Sequence, residues 1–579
     1  MALRICLVTP FAWSQPHDVN EHVAGVAQEL RALGHSVTIL ASSNRAADLA
    51  AGRRALRDGA VEGGLLTVGP AVPVSRRSRV GVPVGLRTNV RVALERGRFD
   101  VVHGFEPGLP SLSYAALRDA DSLAVATFLS PDRLTYPRGR AQRERLLGRV
   151  DALIATSDET ARAAAERFPG DYRIVSEGVD TSLFEPLEKR RVIVHEWLPI
   201  ERPLARAALH ALRELDGWEL VLLRTRPLTG RPYVPRTLAG RVEVRTARDG
   251  RTRSLFLNEA AIFVPAAAGL PRLRLEASAA GCAIAAPPEI RRQPQLAAAE
   301  MGRLADDDAY RERRAREARE KAEAQTFATV AAELEQLYES LRGRRRSIRP
   351  SHADPLSDRD WIVVDLHTHT SASHDCRVPP ALLLDQAESE GLGAVAITDH
   401  NTFSGAREAV ELARDRELVV IPGEEVKTDG QGEVIGLFLE REIPRGMSFA
   451  DTIAAIREQE GIVYLPHPFD RMHAIADAAT LHRHLGEIDV FEVYNARLLF
   501  ETYNDEALRF ARKYNLTMGA GSDAHVLQGL GTGALRMRRF DDPAEFLVSL
   551  RSAEILRRPK SLLYLQSLKW AAQAKERVR

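Results

Sequence analysis

Cysteine is scarce in this chain of 579 residues, with one at each of positions 6, 282 and 376. Three widely spaced cysteines exclude a disulfide framework and a metal site built from Cys-x-x-Cys pairs. The N-terminus lacks the basic stretch, long apolar run and cleavage site of a secretory signal. No apolar run approaches the ~20 residues that a membrane-spanning helix requires. We therefore expect a cytoplasmic protein without a membrane span.

An excess of charge of one sign is also missing. Lys and Arg number 80 and Asp and Glu 79, so the formal net charge is +1. This balance gives no indication of a nucleic-acid or membrane surface. Histidine, in contrast, is unevenly distributed, because nine of the 16 lie within residues 361–579. That region is therefore where we expect a metal site.

The first two-thirds of the chain alternate between strand-like and helix-like segments. Arg4–Val8, the helical pattern Asn20–Leu33 and Ser36–Leu40 begin the series. A second series starts near Arg190 and ends in a long helical stretch, 306–341, interrupted around Thr326. This alternation predicts parallel sheets covered by helices on both faces. The length, too great for a single core, predicts several domains.

The rest of the chain begins with a basic, proline-bearing segment without periodicity, residues 343–360, which predicts an interdomain linker. Over residues 361–560, seven strand-like runs alternate with helical segments in most of the gaps. That rhythm is typical of a (β/α) barrel or a close relative. Residues 561–579 have the pattern of an amphipathic helix, which we expect to pack onto another domain.

Side chains that bind metals follow most of these strands, at the end where barrel enzymes place their active sites. In chain order they are His367, His369, His400, Glu425, His467, Glu492, Asn495, Asp523 and His525. Residues two apart on a strand share a face. We therefore expect the two residues of the His-x-His pair to bind one ion together, and likewise those of the Asp-x-His pair. The set suits Zn, Mn or Fe and exceeds what one tetrahedral ion needs. We expect two or three divalent ions, a bridging Glu425 and a metal-activated water as nucleophile. His374, His473, His482 and His484 lie outside the pattern and are interpreted as structural.

Six motifs in this order, DLHTHT, SxDC, ITDHNT, PGEEVKT, LPHP and GSDAH, resemble the PHP (polymerase and histidinol phosphatase) superfamily. The resemblance covers about residues 361–560 and implies a metal-dependent phosphoesterase. It places metal ligands on His367, His369, Asp375, His400, Glu425, His467, Asp523 and His525. Both His374 and Asp375 suit the third position, and the SxD spacing favours Asp375. Many relatives have a histidine on the strand after the GEE loop, where this chain offers only Glu433. One metal is therefore expected to be held differently or to be absent.

Basic residues near these ligands are candidates for holding the substrate phosphate. Lys427 follows Glu425 by two residues, Arg497 follows Asn495 by two, and Arg471 is a third candidate. The alternative for each is a solvated loop residue. Arg497 is preferred because a guanidinium binds phosphate through two parallel hydrogen bonds. The predicted catalytic residues are Asp523, His525, Arg497 and Lys427, acting on a small phosphorylated substrate or nucleotide.

Five motifs stand out in residues 1 to about 345: RICLVTPFAW, LRALGHSVTILA, FDVVHGFEPGLPSL, EGVDTSLFEP and LEASAAGCAIAAP. With them, this region resembles a family-4 glycosyltransferase, in particular phosphatidylinositol mannosyltransferase-like members. The resemblance implies Rossmann-like domains at 1–185 and 186–342, the GT-B arrangement, and a nucleotide-sugar-like ligand. The predicted fold class is therefore α/β, with two Rossmann-like domains followed by a distorted (β/α)7 barrel.

The donor site departs from the pattern of that family. Residues 15–19 replace the Gly-Gly loop, Leu129 replaces a histidine, and Ala268 replaces one of two glutamates spaced eight apart. Glu276 keeps the second glutamate, and Arg202 is the one base in the loop expected to hold the diphosphate. Each loss removes a contact to the donor. We therefore expect a non-catalytic region that binds a ligand or partner. The alternatives are an active glycosyltransferase with a PHP accessory domain, and a scaffold in which both halves only bind.

Overall fold

The computed structural model describes residues 2–59, 64–73, 81–82, 87–226, 230–266, 269–285, 293–345, 355–472, 475–558, 561 and 567. These residues form two compact units that divide between Leu341 and Arg342. Ala268, His473, half of the predicted linker and nearly all of the predicted C-terminal helix lie outside the described residues. Within the described part, no helix combines the length and apolarity needed to cross a membrane. All three cysteines are buried and unpaired.

The first sheet of the N-terminal unit begins the predicted alternation. Its strands are β1 (Arg4–Val8), β2 (Ser36–Ala41), β3 (Gly64–Thr67), β4 (Val72–Pro73), β5 (Gly81–Val82), β6 (Val101–Phe105), β7 (Leu123–Phe128), β8 (Ala152–Ala155) and β9 (Tyr172–Ile174). The helices are α1 (Asp18–Ala32), α2 (Ala46–Asp58), α3 (Arg87–Gly97), α4 (Leu112–Asp119), α5 (Arg140–Leu147) and α6 (Asp158–Ala165). Seven strands pair in parallel in the order β3-β2-β1-β6-β7-β8-β9, and β4 pairs with β5 separately. α1 buries Val23, Val26 and Leu30, as its helical spacing predicts.

The second sheet of this unit contains β10 (Arg190–Glu196), β11 (Glu219–Arg224), β12 (Val242–Thr246), β13 (Ala260–Val264) and β14 (Ala283–Ile284). Its helices are α7 (Arg202–Ala211), α8 (Gly250–Leu257), α9 (Pro271–Ala279), α10 (Pro294–Asp306), α11 (Asp308–Glu323) and α12 (Phe327–Arg342). The strands are parallel in the order β12-β11-β10-β13-β14. The predicted break near Thr326 separates α11 from α12. α12 returns to the first sheet, where the hydroxyl of Tyr338 lies 2.6 Å from Nδ1 of His103.

The C-terminal unit has nine strands in one sheet. They are β15 (Trp361–Asp365), β16 (Ala394–Ile397), β17 (Val419–Lys427), β18 (Glu433–Leu437), β19 (Ile462–Leu465), β20 (Val490–Asn495), β21 (Thr517–Gly521), β22 (Gly533–Arg538) and β23 (Glu554–Arg557). The helices are α13 (Pro380–Ser389), α14 (Ser404–Leu412), α15 (Phe449–Arg457), α16 (Ala478–His484), α17 (Glu501–Tyr514) and α18 (Pro543–Leu550). The strand order is β21-β20-β19-β18-β17-β16-β15-β22-β23. All seven predicted strands are present, and β22 and β23 are additional.

The barrel is distorted at two places. β17 and β18 form an antiparallel hairpin without an intervening helix, and the turn contains Gly430 and Gly432 at φ of 77° and 83°. β22 runs antiparallel to β15. A parallel bridge between Thr368 and Ala524 joins the segments that follow β15 and β21. The seven strands from β15 to β21 therefore nearly close into a barrel. The predicted α/β class, with Rossmann-like domains and a distorted barrel, is confirmed.

Candidate metal centre

The predicted ligands meet at one end of the barrel. His367 and His369 follow β15, His400 follows β16, and Asp523 and His525 follow β21. Glu425 lies within β17, His467 follows β19, and Asp375 lies in the loop before α13. Most are buried, with His367 and His369 fully inaccessible. The sequence separation between these residues reaches more than 150 positions, so the barrel alone brings them together.

Glu425 occupies the middle of the cluster. Its Oε2 lies 3.1 Å from Nδ1 of His400, 3.3 Å from Nε2 of His367 and 3.5 Å from Nε2 of His369. Its Oε1 lies 2.9 Å from Nε2 of His467. One carboxylate therefore faces four imidazoles, the position expected of a bridging ligand.

A second carboxylate, Asp523, shares His369 with Glu425 and also faces His525. Its Oδ1 lies 3.3 Å from Nε2 of His369 and 3.3 Å from Nδ1 of His525. Oδ2 of Asp375 is 2.9 Å from Nε2 of His525, whereas His374 is exposed. Of the two candidates left open by the sequence, the structure places Asp375 among the rings.

The donor set fits divalent transition metals. Four groups have ligand atoms within 4.8 Å of one another: His369, His400 and His525; His367, His467 and Asp523; His367, His369 and Glu425; and His400, Glu425 and Glu433. Ligands about 2.0–2.2 Å from a shared ion lie about 3–3.6 Å apart, close to the separations seen here. Nε2 of His369 is buried without a hydrogen-bond partner, which a metal bond would satisfy. Imidazole with carboxylate suits Zn, Mn or Fe.

The carboxylates and imidazoles of the cluster shift one another's pKa values. Burial lowers the pKa of His367, but Glu425, Asp523 and Glu492 outweigh burial and hold it well above its usual value. Burial raises the pKa of Glu425, but His367 and His400 outweigh it and hold that pKa well below its usual value. The pKa of His467 rises to about 9, because Glu425 outweighs burial. Glu425 is therefore ionised at neutral pH, as a ligand carboxylate must be.

Three buried carboxylates support the ligands: Asp365 and Asp399, to which the sequence analysis assigned no role, and Glu492, which it named as a possible metal ligand. Asp365 accepts from the backbone N–H of Ser522 and of Gly531, both at 2.9 Å. Asp399 accepts from the backbone N–H of Thr370 at 2.7 Å. Glu492 lies 3.1 Å from Nδ1 of His367. Their position at strand ends was visible in the sequence, but spacing does not separate a ligand from a supporting residue.

Two of the predicted ligands have backbone conformations that non-glycine residues rarely adopt. φ is 27° at His467 and 50° at Asp523. The N–H of His467 donates to Glu492 at 2.6 Å, and the N–H of Asp523 donates to the carbonyl of His367 at 2.8 Å. These hydrogen bonds stabilise strained turns, a feature concentrated at functional sites.

The predicted substrate cations differ in placement. Nη1 of Arg497 lies 3.1 Å from Oδ1 of Asp523 and 3.3 Å from Nε2 of His525, and 36% of its side chain is exposed. Lys427 has an exposed side chain that forms no ion pair or hydrogen bond with the described residues. Arg471 lies 4.0 Å from Glu506 of α17. Arg497 thus borders the metal centre and the solvent at once.

The predicted donor-site residues of the N-terminal unit differ in their exposure to solvent. Arg202 is exposed at the start of α7, whereas Glu276 is buried in α9. Leu129 is buried, and its N–H donates to Glu106. In the segment that replaces the Gly-Gly loop, the ring of His17 stacks on Phe11 at 3.4 Å.

Glu276 belongs to a buried ion network. Nε and Nη2 of Arg253 donate to its two oxygens, both at 2.6 Å, and Nε of Arg272 donates at 3.1 Å. Glu21 of α1 accepts from Arg253 at 2.7 Å and also from Arg272. The arginines are 1% and 5% exposed. Both oxygens of Glu276 are thus engaged by the chain's own cations.

Comparisons with known proteins agree with this division. The PHP domain model matches residues 365–517, and the PHP-associated model matches 501–555. The Glycosyltransferase Family 4 model matches residues 19–183. Residues 365–555 are thus similar to the PHP and PHP-associated domains, and residues 19–183 are similar to Glycosyltransferase Family 4.

Two curated relatives illustrate the two parts. The uncharacterized protein MJ0417 of Methanocaldococcus jannaschii is 35% identical over 215 residues, 35% of this chain and 85% of that protein. The phosphatidyl-myo-inositol mannosyltransferase of Propionibacterium freudenreichii is 33% identical over 167 residues, 28% of this chain and 42% of that protein. This chain thus matches less than half of the mannosyltransferase.

Two solved structures have more distant similarity. A glycosyltransferase from Rickettsia africae is 12% identical with a TM-score of 0.43, covering 58% of this chain and 98% of its own. PsfC from Pseudomonas syringae is 18% identical with a TM-score of 0.31, covering 37% of this chain and 99% of its own.

Proposed function

We propose that the C-terminal unit hydrolyses a small phosphoester or a nucleotide phosphate with the help of two or three divalent ions, Zn, Mn or Fe. The observation that carries the proposal is the carboxylate of Glu425, which faces four imidazoles: the His-x-His pair after β15, His400 after β16 and His467 after β19. Such a centre stabilises both the attacking and the leaving oxygen of phosphoryl transfer.

The ligands in this proposal are His367, His369, Asp375, His400, Glu425, His467, Asp523 and His525. When bound, the ions would neutralise phosphate charge and lower the pKa of the attacking water. Arg497 is the residue that orients the phosphate, because its half-exposed guanidinium can donate two parallel hydrogen bonds. Asp523 and His525 hold this guanidinium at the edge of the cluster. Lys427 is the second cation that we assign to the substrate.

Metal analysis of the purified full-length chain tests this function, together with phosphate release from a panel of small phosphoesters and nucleotides. We expect at least two ions per chain and hydrolysis that a chelator abolishes and added metal restores. Fewer than one ion per chain, or chelator-resistant activity, would overturn the proposal.

For the N-terminal unit we propose ligand or partner binding without sugar transfer. The support is that both oxygens of Glu276, the predicted donor-site glutamate, accept hydrogen bonds from Arg253 and Arg272. A carboxylate engaged in this way is not available to a donor. The test incubates the full-length chain with common nucleotide sugars and measures nucleotide release, with an active family-4 enzyme as positive control. Robust transfer from any donor would show that the region is an active glycosyltransferase.

A further inference from the structure

Glu433 lies beside the metal centre at a position where the sequence offered no histidine. It is the first residue of β18 and pairs with Lys427 across the hairpin. Its side chain is 18% exposed, with Oε1 3.9 Å from Nδ1 of His400 and Oε2 3.7 Å from Nε2 of His467. The two oxygens of one carboxylate therefore face two rings that Glu425 also contacts.

These separations are too long for hydrogen bonds, which span about 2.7–3.2 Å between nitrogen and oxygen. They are closer to the roughly 3–3.6 Å that separates two ligands of one ion. Ligand atoms of His400, Glu425 and Glu433 all lie within 4.8 Å of one another. An ion between them would be bound by two carboxylates and one imidazole.

The neighbouring group of His369, His400 and His525 consists of imidazoles alone. Imidazole suits Zn, Fe and Cu, whereas carboxylate oxygens suit harder ions such as Mn²⁺. The two halves of the centre therefore differ in chemistry, and the difference depends on Glu433.

We propose that Glu433 is a metal ligand. Together with His400 and Glu425 it forms an oxygen-rich position, which prefers Zn²⁺ over Mn²⁺ less strongly than the imidazole-rich position does. This inference rests on the proposed metal centre. It assigns to β18 a ligand of a different kind from the histidine expected there.

Metal content of the full-length chain tests the inference without any activity assay. Wild type, Glu433→Ala, Glu433→Gln and Glu433→His are each equilibrated with equal concentrations of Mn²⁺ and Zn²⁺, and bound metal is measured by elemental analysis. The matched control is Glu440→Gln, an exposed carboxylate just beyond the end of β18. Thermal unfolding of each variant establishes that it is folded.

We expect Glu433→Ala and Glu433→Gln to lose about one ion per chain, whereas Glu440→Gln retains the wild-type content. Glu433→His should restore the stoichiometry and lower the bound Mn:Zn ratio by roughly tenfold, because an imidazole replaces an oxygen ligand. Wild-type stoichiometry and ratio in all three Glu433 variants would overturn the inference.

His367→Ala separates failure of this inference from failure of the metal centre itself. If His367→Ala loses metal while the Glu433 variants do not, the centre exists and Glu433 is outside it. If wild type binds less than one ion, both the inference and the proposed function are wrong.

Discussion

Each unit contains a buried cluster of charged side chains, and the two clusters differ in the distances between their opposite charges. In the N-terminal unit, Arg253 and Glu276 are joined by two hydrogen bonds of 2.6 Å. In the C-terminal unit, Glu425 lies 2.9 Å from His467 and 3.1–3.5 Å from His367, His369 and His400. The first set of distances belongs to direct ion pairs, and three of the four in the second set are in the range of ligands that share one ion.

The two carboxylates therefore differ in how their oxygens are engaged. Both oxygens of Glu276, the predicted donor-site glutamate, accept hydrogen bonds from arginines of the same chain. The C-terminal cluster instead leaves Nε2 of His369 buried without a hydrogen-bond partner. Buried groups that are fully paired stabilise or specify a structure, whereas converging unpaired donors indicate a ligand.

The strongest way to break this comparison is to remove Glu425. Glu425→Ala should reduce bound metal to less than one ion per chain and lower phosphoesterase kcat/KM by more than about 100-fold, because four imidazoles lose their common carboxylate. Elemental analysis and initial rates provide the measurements. Glu424→Gln is the matched control, since Glu424 accepts from the N–H of Ile443 and touches none of the rings. A Glu425→Ala protein with full metal content would contradict the central placement.

The corresponding change in the N-terminal unit is Glu276→Ala. It leaves Arg253 and Arg272 buried with one partner carboxylate fewer, which costs about 3–5 kcal/mol in unfolding free energy. Calorimetry of the full chain should show a lower Tm for the N-terminal transition, with unchanged metal content. Glu312→Ala on the exposed face of α11 is the control. An unchanged Tm would mean that the network is not what stabilises this region.

Arg497→Ala sharpens the comparison at the edge of the metal centre. We expect kcat/KM to fall by roughly 10–100-fold while metal content stays constant, because a charge-assisted contact to phosphate is lost. Arg471→Ala, which removes a cation that lies beside Glu506, should change kcat/KM less than twofold. Lys427→Ala should have an intermediate effect. Loss of metal in Arg497→Ala would show that the residue supports the ligands instead.

The smallest expected effect concerns pH and Glu106 in the N-terminal unit. Burial raises the pKa of Glu106 to about 8, although Arg133 opposes the shift. The folded state therefore holds this proton more tightly than the unfolded chain, so the stabilisation present below pH 4.5 is lost as pH rises to 8.

Glu106→Gln removes that titration, so its Tm relative to wild type should increase between pH 5 and pH 8. Paired calorimetric scans at both pH values measure this change in the Tm difference. The same Tm difference at both pH values would show that Glu106 does not titrate between them.

Much of the fold follows from local patterns. The helical spacing of Val23, Val26 and Leu30 predicts a helix with one buried face, and α1 has that face. The seven strands of the barrel were predicted from short apolar runs, because such runs report burial. β22 and β23 were missed, since GALRMR and EILR are short and contain apolar runs of only two residues beside charged ones. The antiparallel direction of β18 was also not visible, because strand direction depends on pairing partners that are distant in sequence.

The residue types at strand ends were enough to indicate a metal-dependent chemistry and the family that this region resembles. The order of these residues along the chain does not specify the distances between their side chains, so the sequence left His374 and Asp375 as alternatives for the third ligand. It also gave Lys427 and Arg497 equal proximity to a ligand. Only the tertiary structure placed Asp375 against His525, left Lys427 exposed and brought Glu433 to within 4 Å of two rings. The physical reason is that local propensity acts over a few residues, whereas a metal centre depends on angstrom-scale placement of side chains from strands that only barrel closure unites.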